Sequence, residues 1–116
     1  MRFRFRATWL RIGFALCAVV LALGCSSFRA ARLYQSGTAA LDRGDPAQAI
    51  VELERAAELL PEASEVQNHL GLAYQASGRE RDAEIAFRRA VDLDCTNWAA
   101  VENLRVAESR ARKERP

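Results

Sequence analysis

Few residues of this chain have the types and spacing that catalysis or metal binding requires. His69 is the only histidine, and the three cysteines are Cys17, Cys25 and Cys95. A structural zinc site takes about four Cys or His ligands in short-range pairs, so no zinc-type spacing is available. A weaker arrangement is a metal or ligand site that uses His69 together with Cys95. The alternative for His69 is a packing or surface role, and we expect neither a resident metal nor a cofactor.

Paired carboxylates are the other residues that could perform acid–base chemistry. Glu52 with Glu54, and Asp92 with Asp94, are each two positions apart. Residues two positions apart do not share a helix face, so a solvated surface explains these pairs better than a catalytic site. The sequence also contains neither a Gly-rich phosphate loop nor a nucleophile elbow. We therefore predict no catalytic residue and expect that the protein is not an enzyme.

Length and charge restrict the function further. A chain of 116 residues, 50% of them hydrophobic, has room for one small domain. The net charge of +2 comes from 17 basic and 15 acidic side chains, an excess too small to indicate nucleic-acid binding. Residues 1–24 contain four arginines and no acid, so the rest of the chain has 13 basic and 15 acidic side chains. The basic character therefore belongs to the N-terminal segment alone.

Residues 1–24 have the parts of a secretory signal peptide. Residues 1–11 are basic, and residues 12–23 are an unbroken run of apolar residues and glycine. This run of 12 residues is short for a membrane span, which takes about 20. A permanent transmembrane helix is the alternative, but it would bring Arg11 into the hydrocarbon at high cost.

The end of this segment, LALGC over residues 21–25, resembles the lipobox of bacterial lipoproteins. The resemblance implies cleavage before Cys25, a diacylglycerol thioether on its sulfur and acylation of the new amino terminus. Two or three acyl chains anchor a protein stably, whereas one chain holds it only marginally. Because Ser26 stands where an Asp would favour the inner membrane, the resemblance implies an outer-membrane lipoprotein that faces the periplasm. Ordinary secretion with Cys25 as a plain thiol is the alternative.

The remaining chain repeats itself with a period of 34 residues. The matching residues are small or apolar in both copies: Gly37 with Gly71, Ala39 with Ala73, Gly44 with Gly78, Ala49 with Ala83, Leu53 with Phe87, Ala56 with Ala90, and Leu59 with Leu93. The second copy reads Q-x2-LG-x2-Y over 67–74 and A-x3-F-x2-A over 83–90. This pattern resembles the tetratricopeptide repeat, whose motif begins with W where this chain has Gln67. The resemblance covers roughly residues 30–97.

Apolar residues at helical spacing predict helices and no strand. We place the helices over about 28–43, 46–60, 64–77, 80–93 and 98–112. The fold class is therefore all-α: a short tetratricopeptide-like solenoid of two helix pairs plus a C-terminal capping helix, after a lipoprotein signal peptide. The predicted units are the signal peptide over 1–24, the lipidated cysteine and a short tether over 25–29, repeats over 30–63 and 64–97, and the capping helix with a charged tail over 98–116.

Local residues predict how the helices begin and meet. Asp45 suits an N-cap, and Pro46 suits the first position of the helix that follows. Ser64 and Gln67 have the spacing of a capping box at the start of the third helix. Gly71 is small where two helices must approach closely. These residues predict helix pairs joined by tight turns.

The last helix is predicted to close the stack. Trp98, Val101 and Leu104 are expected to dock on the preceding pair, and polar residues follow them, as a terminal helix requires for solubility. Arg105 stands where a third repeat would have its glycine. Cys95 is expected to be a half-buried small residue at a helix end, or a free thiol that pairs with another chain.

In the tetratricopeptide repeat family the first helix of each pair lines a concave groove, and the resemblance assigns its residues by register. We call this set the first-helix face: Tyr34, Gln35, Thr38, Leu41, Glu65, Asn68, His69, Leu72 and Gln75. Its amides can bond the backbone of an extended peptide. Tyr34 and Leu72 are expected to be exposed apolar contacts, and a solvated surface without a role is the alternative.

Two function classes follow. The first is an interaction module: a membrane-anchored scaffold or assembly factor of the bacterial envelope that binds other envelope proteins or extended peptides. Its plan is similar to that of lipoproteins serving pili, secretion or outer-membrane machinery. The second is an accessory subunit of an envelope enzyme, or a metal or ligand carrier that uses His69 and Cys95. Metal analysis of the purified protein distinguishes the two.

Overall fold

The computed structural model describes residues 27–113 of the chain, and this part is an all-α stack. Its helices are α1 over 27–42, α2 Pro46–Leu59, α3 Ser64–Ala76, α4 Glu80–Leu93 and α5 Trp98–Lys113. The helix ends that lie within the described range agree with the predicted ones to within one residue, and residues 27–113 contain no strand. The predicted signal peptide and Cys25 lie outside the described residues. None of the described helices is long and apolar enough to cross a membrane.

The turns inside the two helix pairs are built on glycine. Gly44 and Gly78 have φ angles of 74° and 76°, a left-handed conformation that glycine adopts without steric cost. Asp45 then caps α2 by accepting a hydrogen bond from a backbone N–H of the first turn at 3.1 Å, and Pro46 is the first helical residue. Arg79, at the equivalent position before α4, makes no such cap. The predicted start of α2 is therefore confirmed.

The close approach of the two helices in each pair explains the repeated glycine within the first helix. A Cβ atom on Gly37 would lie 2.6 Å from Leu53 Cγ, and one on Gly71 would lie 2.5 Å from the ring of Phe87. Leu53 and Phe87 are both fully buried. The 34-residue period therefore repeats one packing contact, in which a large residue of the second helix fills the space left by a glycine of the first.

Small residues supply much of the core where the helices meet. The first core cluster joins α1, α2 and α3 through Ala40, Ala49, Ile50, Leu53, Leu70 and Ala73. The second core cluster joins α4 to α5 through Ala83, Phe87 and Ala107. Alanines allow helix backbones to approach closely, so the stack is held by helix contact as well as by large side chains.

The start of α3 differs from the predicted capping box. Ser64 is the first residue of the helix, and the N-cap, Ala63, makes no side-chain hydrogen bond. The Ser64 hydroxyl instead donates to the Ala90 carbonyl oxygen at 2.8 Å and accepts from the Asn97 side-chain amide at 2.8 Å. The capping-box prediction is wrong because Ser64 is buried against the end of α4, so its hydroxyl pairs across the helix interface.

The docking of α5 also differs from the prediction in part. Its buried residues are Ala100 and Ala107, and Leu104 packs against the second core cluster as expected. Trp98 is 78% exposed, so the prediction that it docks on the preceding pair is wrong. At the equivalent position of α3, Ser64 is covered by the end of α4, whereas no described helix covers Trp98.

Candidate partner-binding surface

Side-chain contacts join successive first helices of the stack. The Tyr34 hydroxyl oxygen of α1 lies 3.2 Å from His69 Nδ1 of α3, and the Asn103 side-chain amide of α5 donates to Asn68 Oδ1 of α3 at 2.9 Å. Both contacts connect residues 35 positions apart, which is the 34-residue repeat period plus one. These contacts hold α1, α3 and α5 side by side, so the predicted residues of α1 and α3 share one side of the stack.

Tyr34 and His69 are central to the first-helix face. Their rings meet edge to face, with centroids 5.3 Å apart and planes at 89°. His69 Nδ1 also lies 2.9 Å from the Glu65 carbonyl oxygen. Because a carbonyl oxygen only accepts, Nδ1 donates in this contact, and Nε2 remains an acceptor in the neutral ring. Burial raises the pKa of Tyr34, and the negative charge of Glu65 acts in the same direction, so the phenol stays neutral at physiological pH.

Exposure divides the nine predicted residues into three groups. Gln35 and Glu65 are exposed, Asn68 is buried, and the half-buried ones are Tyr34, Thr38, Leu41, His69, Leu72 and Gln75. The expectation that Tyr34 and Leu72 are exposed is wrong, because they pack against the first and second core clusters respectively. Asn68 has its side-chain oxygen bonded to Asn103. The accessible amides of the face are therefore those of Gln35 and Gln75.

The two residues of the alternative metal site lie on different elements. His69 is in α3, whereas Cys95 is exposed in the turn between α4 and α5, so the predicted half-buried setting of Cys95 is wrong. The physical reason is the turn itself: Asp94 accepts hydrogen bonds from the Thr96 backbone N–H and hydroxyl at 2.9 and 2.7 Å. These bonds lower the pKa of Asp94 and keep the turn outside the core. Within residues 27–113, no three His, Cys, Asp or Glu side chains are placed to share a metal ion.

A second surface, which the sequence did not predict, lies between α2 and α4. It is a groove of about 500 Å³ with α3 at its base. We call it the α2–α4 groove, and its lining includes Glu54, Glu58, Gln67, Leu70, Ile85 and Arg89. At 3.6 residues per turn, Gln67 and Leu70 fall on the side of α3 opposite to His69 and Leu72. Two sequence features could have indicated this groove: Ile85, which lies on α4 among exposed charged residues, and Gln67, which stands at the tryptophan position of the repeat pattern.

Tyr74 forms part of the wall of the α2–α4 groove. Its hydroxyl donates to Glu54 Oε1 at 2.7 Å, and the guanidinium carbon of Arg79 lies 4.5 Å from its ring centroid. Arg79 also pairs with Asp82 at 2.7 Å. Burial and the hydrogen bond to Glu54 raise the pKa of Tyr74 to about 12. The wall is thus a connected set of side chains that joins α2, α3 and α4.

Comparison with known protein families matches residues 40–106 to the tetratricopeptide repeat. The match extends from the end of α1 into α5 and covers more than half of the chain. It includes the contact between Gly71 and Phe87 and both glycine turns. No curated protein matches the chain.

Proposed function

Because the chain belongs to the tetratricopeptide repeat family, we propose that it binds a segment of another protein on its first-helix face. Domains of this family bind peptides or proteins and are typically scaffolds without catalytic activity. Stacked helix pairs suit this role because successive helices form a long continuous surface. The occupant of the face is an extended peptide segment.

The observation that carries this proposal is the set of unused polar groups on the face. The side chains of Gln35 and Gln75 make no hydrogen bond to other residues within 27–113. A side-chain amide offers a donor and an acceptor together, which is what one peptide unit of an extended segment requires. The contact between Tyr34 and His69 lies in the same face and presents the Nε2 acceptor of His69. These groups favour a peptide backbone over a purely apolar ligand.

The proposed location is the bacterial envelope, with the chain anchored by lipid on Cys25. Support comes from the lipobox-like residues 21–25 and the apolar run before them. Residue 27, which is helical, follows Cys25 by two positions, so an anchored domain would lie close to the bilayer. A scaffold or assembly factor for pilus, secretion or outer-membrane machinery works at this surface, on the periplasmic side.

Photo-crosslinking in the producing cells tests the binding surface. A photoreactive residue replaces Gln35 or Gln75 in the full chain, and the matched control replaces Arg55, which is exposed on α2. We expect the same protein to be captured from both positions of the face and not from position 55. Capture of the same proteins from all three positions, or none from positions 35 and 75, would contradict the proposal.

Mass spectrometry of the full chain tests the anchor. The wild-type protein and a Cys95→Ser control are expected to begin at Cys25 and to carry the added mass of acyl chains. A Cys25→Ser variant is expected to lack that mass and to keep residues 1–24. If the wild-type and Cys25→Ser proteins differ in mass only by the substitution, the lipid anchor is refuted, whatever their distribution between membrane and supernatant.

A further inference from the structure

The α2–α4 groove gives access to a side-chain amide that has no hydrogen-bond partner within residues 27–113. Gln67 is 5% exposed and lines the groove, and its side chain hydrogen-bonds to none of the residues 27–113. Every fully buried side-chain nitrogen and oxygen in the described residues has a hydrogen-bond partner, so the unpaired polar atoms of Gln67 are accessible, and a partner can reach them from the groove. Gln67 also stands where the repeat pattern has tryptophan. The smaller side chain leaves open the space that an indole ring would fill.

The groove also has apolar walls next to this amide. Leu70 and Ala86 line it and are nearly buried, whereas Ile85 at its edge is 67% exposed. A volume of about 500 Å³ accommodates a large side chain together with the backbone on each side of it. An exposed aliphatic residue beside such a groove indicates contact with another apolar group.

The charge along the α2 side of the groove is negative. Glu54 and Glu58 are one helical turn apart on the same rim, a spacing at which like charges destabilise a helix. Glu54 accepts from the neutral Tyr74 hydroxyl, and Glu58 makes no hydrogen bond or ion pair within residues 27–113. On the α4 side, Asp82 is already paired with Arg79, and Arg89 is a cation. A cation of the occupant therefore fits beside Glu54 and Glu58.

We propose that the α2–α4 groove is a second binding site, which takes a segment of another protein with an apolar side chain next to an arginine or lysine. The backbone of the segment pairs with the Gln67 amide, the apolar side chain packs between Leu70 and Ile85, and the cation neutralises the Glu54 and Glu58 rim. This site is independent of the first-helix face, because it lies on the opposite side of α3. A protein with both sites bridges two partners.

A second copy of this chain fits the groove less well than a foreign segment. The basic end of α5 carries Arg110, Arg112 and Lys113. Only the small Ala111 lies among them, so this end has cations but no large apolar side chain to pack against Leu70. The end of α5 therefore has cations that suit the Glu54 and Glu58 rim, but it has no large apolar side chain for the groove.

The test is a fluorescence anisotropy titration of the full chain in a non-ionic detergent. The probe is a labelled synthetic 12-residue peptide with a central Leu flanked by Arg, and its matched forms carry Glu for Arg or Ser for Leu. We expect the Arg–Leu peptide to bind and both matched forms to bind weakly. Glu58→Lys should weaken binding about tenfold, and Gln67→Trp, which fills the groove, should abolish it while the thermal midpoint stays unchanged or rises.

Two matched controls distinguish binding in the groove from general effects of surface charge and surface hydrophobicity. Glu62→Lys makes the same charge change four residues away, and Val51→Ser is the repeat equivalent of Ile85→Ser, a variant that should weaken binding because it removes the apolar edge of the groove. We expect both controls to bind the peptide like the wild type. Equal weakening by Glu58→Lys and Glu62→Lys would overturn the site, as would unchanged binding in Gln67→Trp. Failure of all three peptides to bind would show that the groove holds water only, and self-association abolished by Glu58→Lys would assign it to a second copy.

Discussion

The two helix pairs share one packing contact but differ in the size of the residue that makes it. In the first pair Leu53 packs over Gly37, and in the second pair Phe87 packs over Gly71. Phe87 belongs to the cluster that also holds α5 in place through Ala107. Leu53 likewise belongs to a cluster that joins its pair to α3 through Leu70 and Ala73, so the two contacts differ in the size of the buried side chain.

A third copy of the glycine position shows what the glycine is for. Arg105 lies 34 residues after Gly71, is exposed, and pairs with Glu102 at 2.6 Å. No described helix packs over it. A glycine inside a helix lowers stability by about 1 kcal/mol relative to alanine. At Gly71 a second helix approaches so closely that a Cβ atom would not fit. Where no helix approaches, a long charged residue is tolerated.

Truncating the large residue of each contact should give the largest effect. We expect Phe87→Ala to cost about 3–5 kcal/mol and Leu53→Ala about 2–5 kcal/mol, with Phe87→Ala the more severe because Phe87 is the larger of the two fully buried side chains. Urea denaturation of the full chain, followed by circular dichroism, measures both losses. A larger loss for Leu53→Ala than for Phe87→Ala would break the comparison between the pairs.

Adding bulk at the glycine should give the next largest effect. Gly71→Val places a side chain where even a Cβ lies 2.5 Å from the Phe87 ring, and overpacking of this kind costs about 1–3 kcal/mol. Arg105→Val at the equivalent, exposed position should leave the free energy of unfolding nearly unchanged.

A second-site change sharpens this prediction. Phe87→Leu in the Gly71→Val background reduces the clash, so the double variant should be more stable than the sum of the two single losses predicts. Thermal denaturation of all four proteins forms the double-mutant cycle. Strict additivity would mean that Gly71 and Phe87 do not act through their contact.

Substitutions at the starts of α2 and α4 should lower the free energy of unfolding by less than the core substitutions do. Asp45→Ala removes a side-chain cap and should cost about 1 kcal/mol. At the equivalent position, Arg79→Ala removes an exposed ion pair with Asp82, which solvent screens, and it removes the contact with the Tyr74 ring. We expect the loss at Asp45 to be the larger one in urea denaturation. The reverse order would show that the Tyr74 wall, rather than the cap, fixes these turns.

Alkaline pH should lower the free energy of unfolding through the second pair only at this position. Tyr74 stands there in the second pair, whereas Ala40 stands at the equivalent position of the first. The folded-state pKa of Tyr74 is raised from 10.0 to about 12, so its stabilisation is complete below pH 10 and is lost as the pH rises through 12. Tyr74→Phe should flatten this part of the stability curve. Tyr34 is present in both proteins, so an equal alkaline slope would assign the loss to Tyr34 instead.

The fold was predictable because its signals are local and occur twice. Gly44 and Asp45 define a helix end and a helix start without reference to the rest of the chain. The contact of Gly71 with Phe87 is visible as a small residue and a large one at matching positions of a 34-residue period. Ser64 shows the limit of this reasoning, since its sequence context fits a cap and its true partners lie in another helix and the turn after it.

The binding surfaces were less predictable, because exposure depends on neighbouring helices. Register placed Asn68 and Gln75 on one side of α3, but Asn103 of α5 covers the first and not the second. The α2–α4 groove is formed by three helices, and Gln67 is informative only because its neighbours leave its amide unpaired at the groove. No local pattern records such a coincidence.

The partner captured from positions 35 and 75 should bind through the Gln35 and Gln75 amides. Calorimetric titration of the captured partner into the full chain tests it most directly, with Gln48→Ala, an exposed glutamine of α2, as the matched control. Loss of two neutral hydrogen bonds amounts to about 2 kcal/mol, so a Gln35→Ala, Gln75→Ala double variant should raise Kd about thirtyfold. Gln48→Ala should leave Kd unchanged. An unchanged Kd in the double variant, with a raised Kd in Glu58→Lys, would contradict the claim and move the partner to the α2–α4 groove.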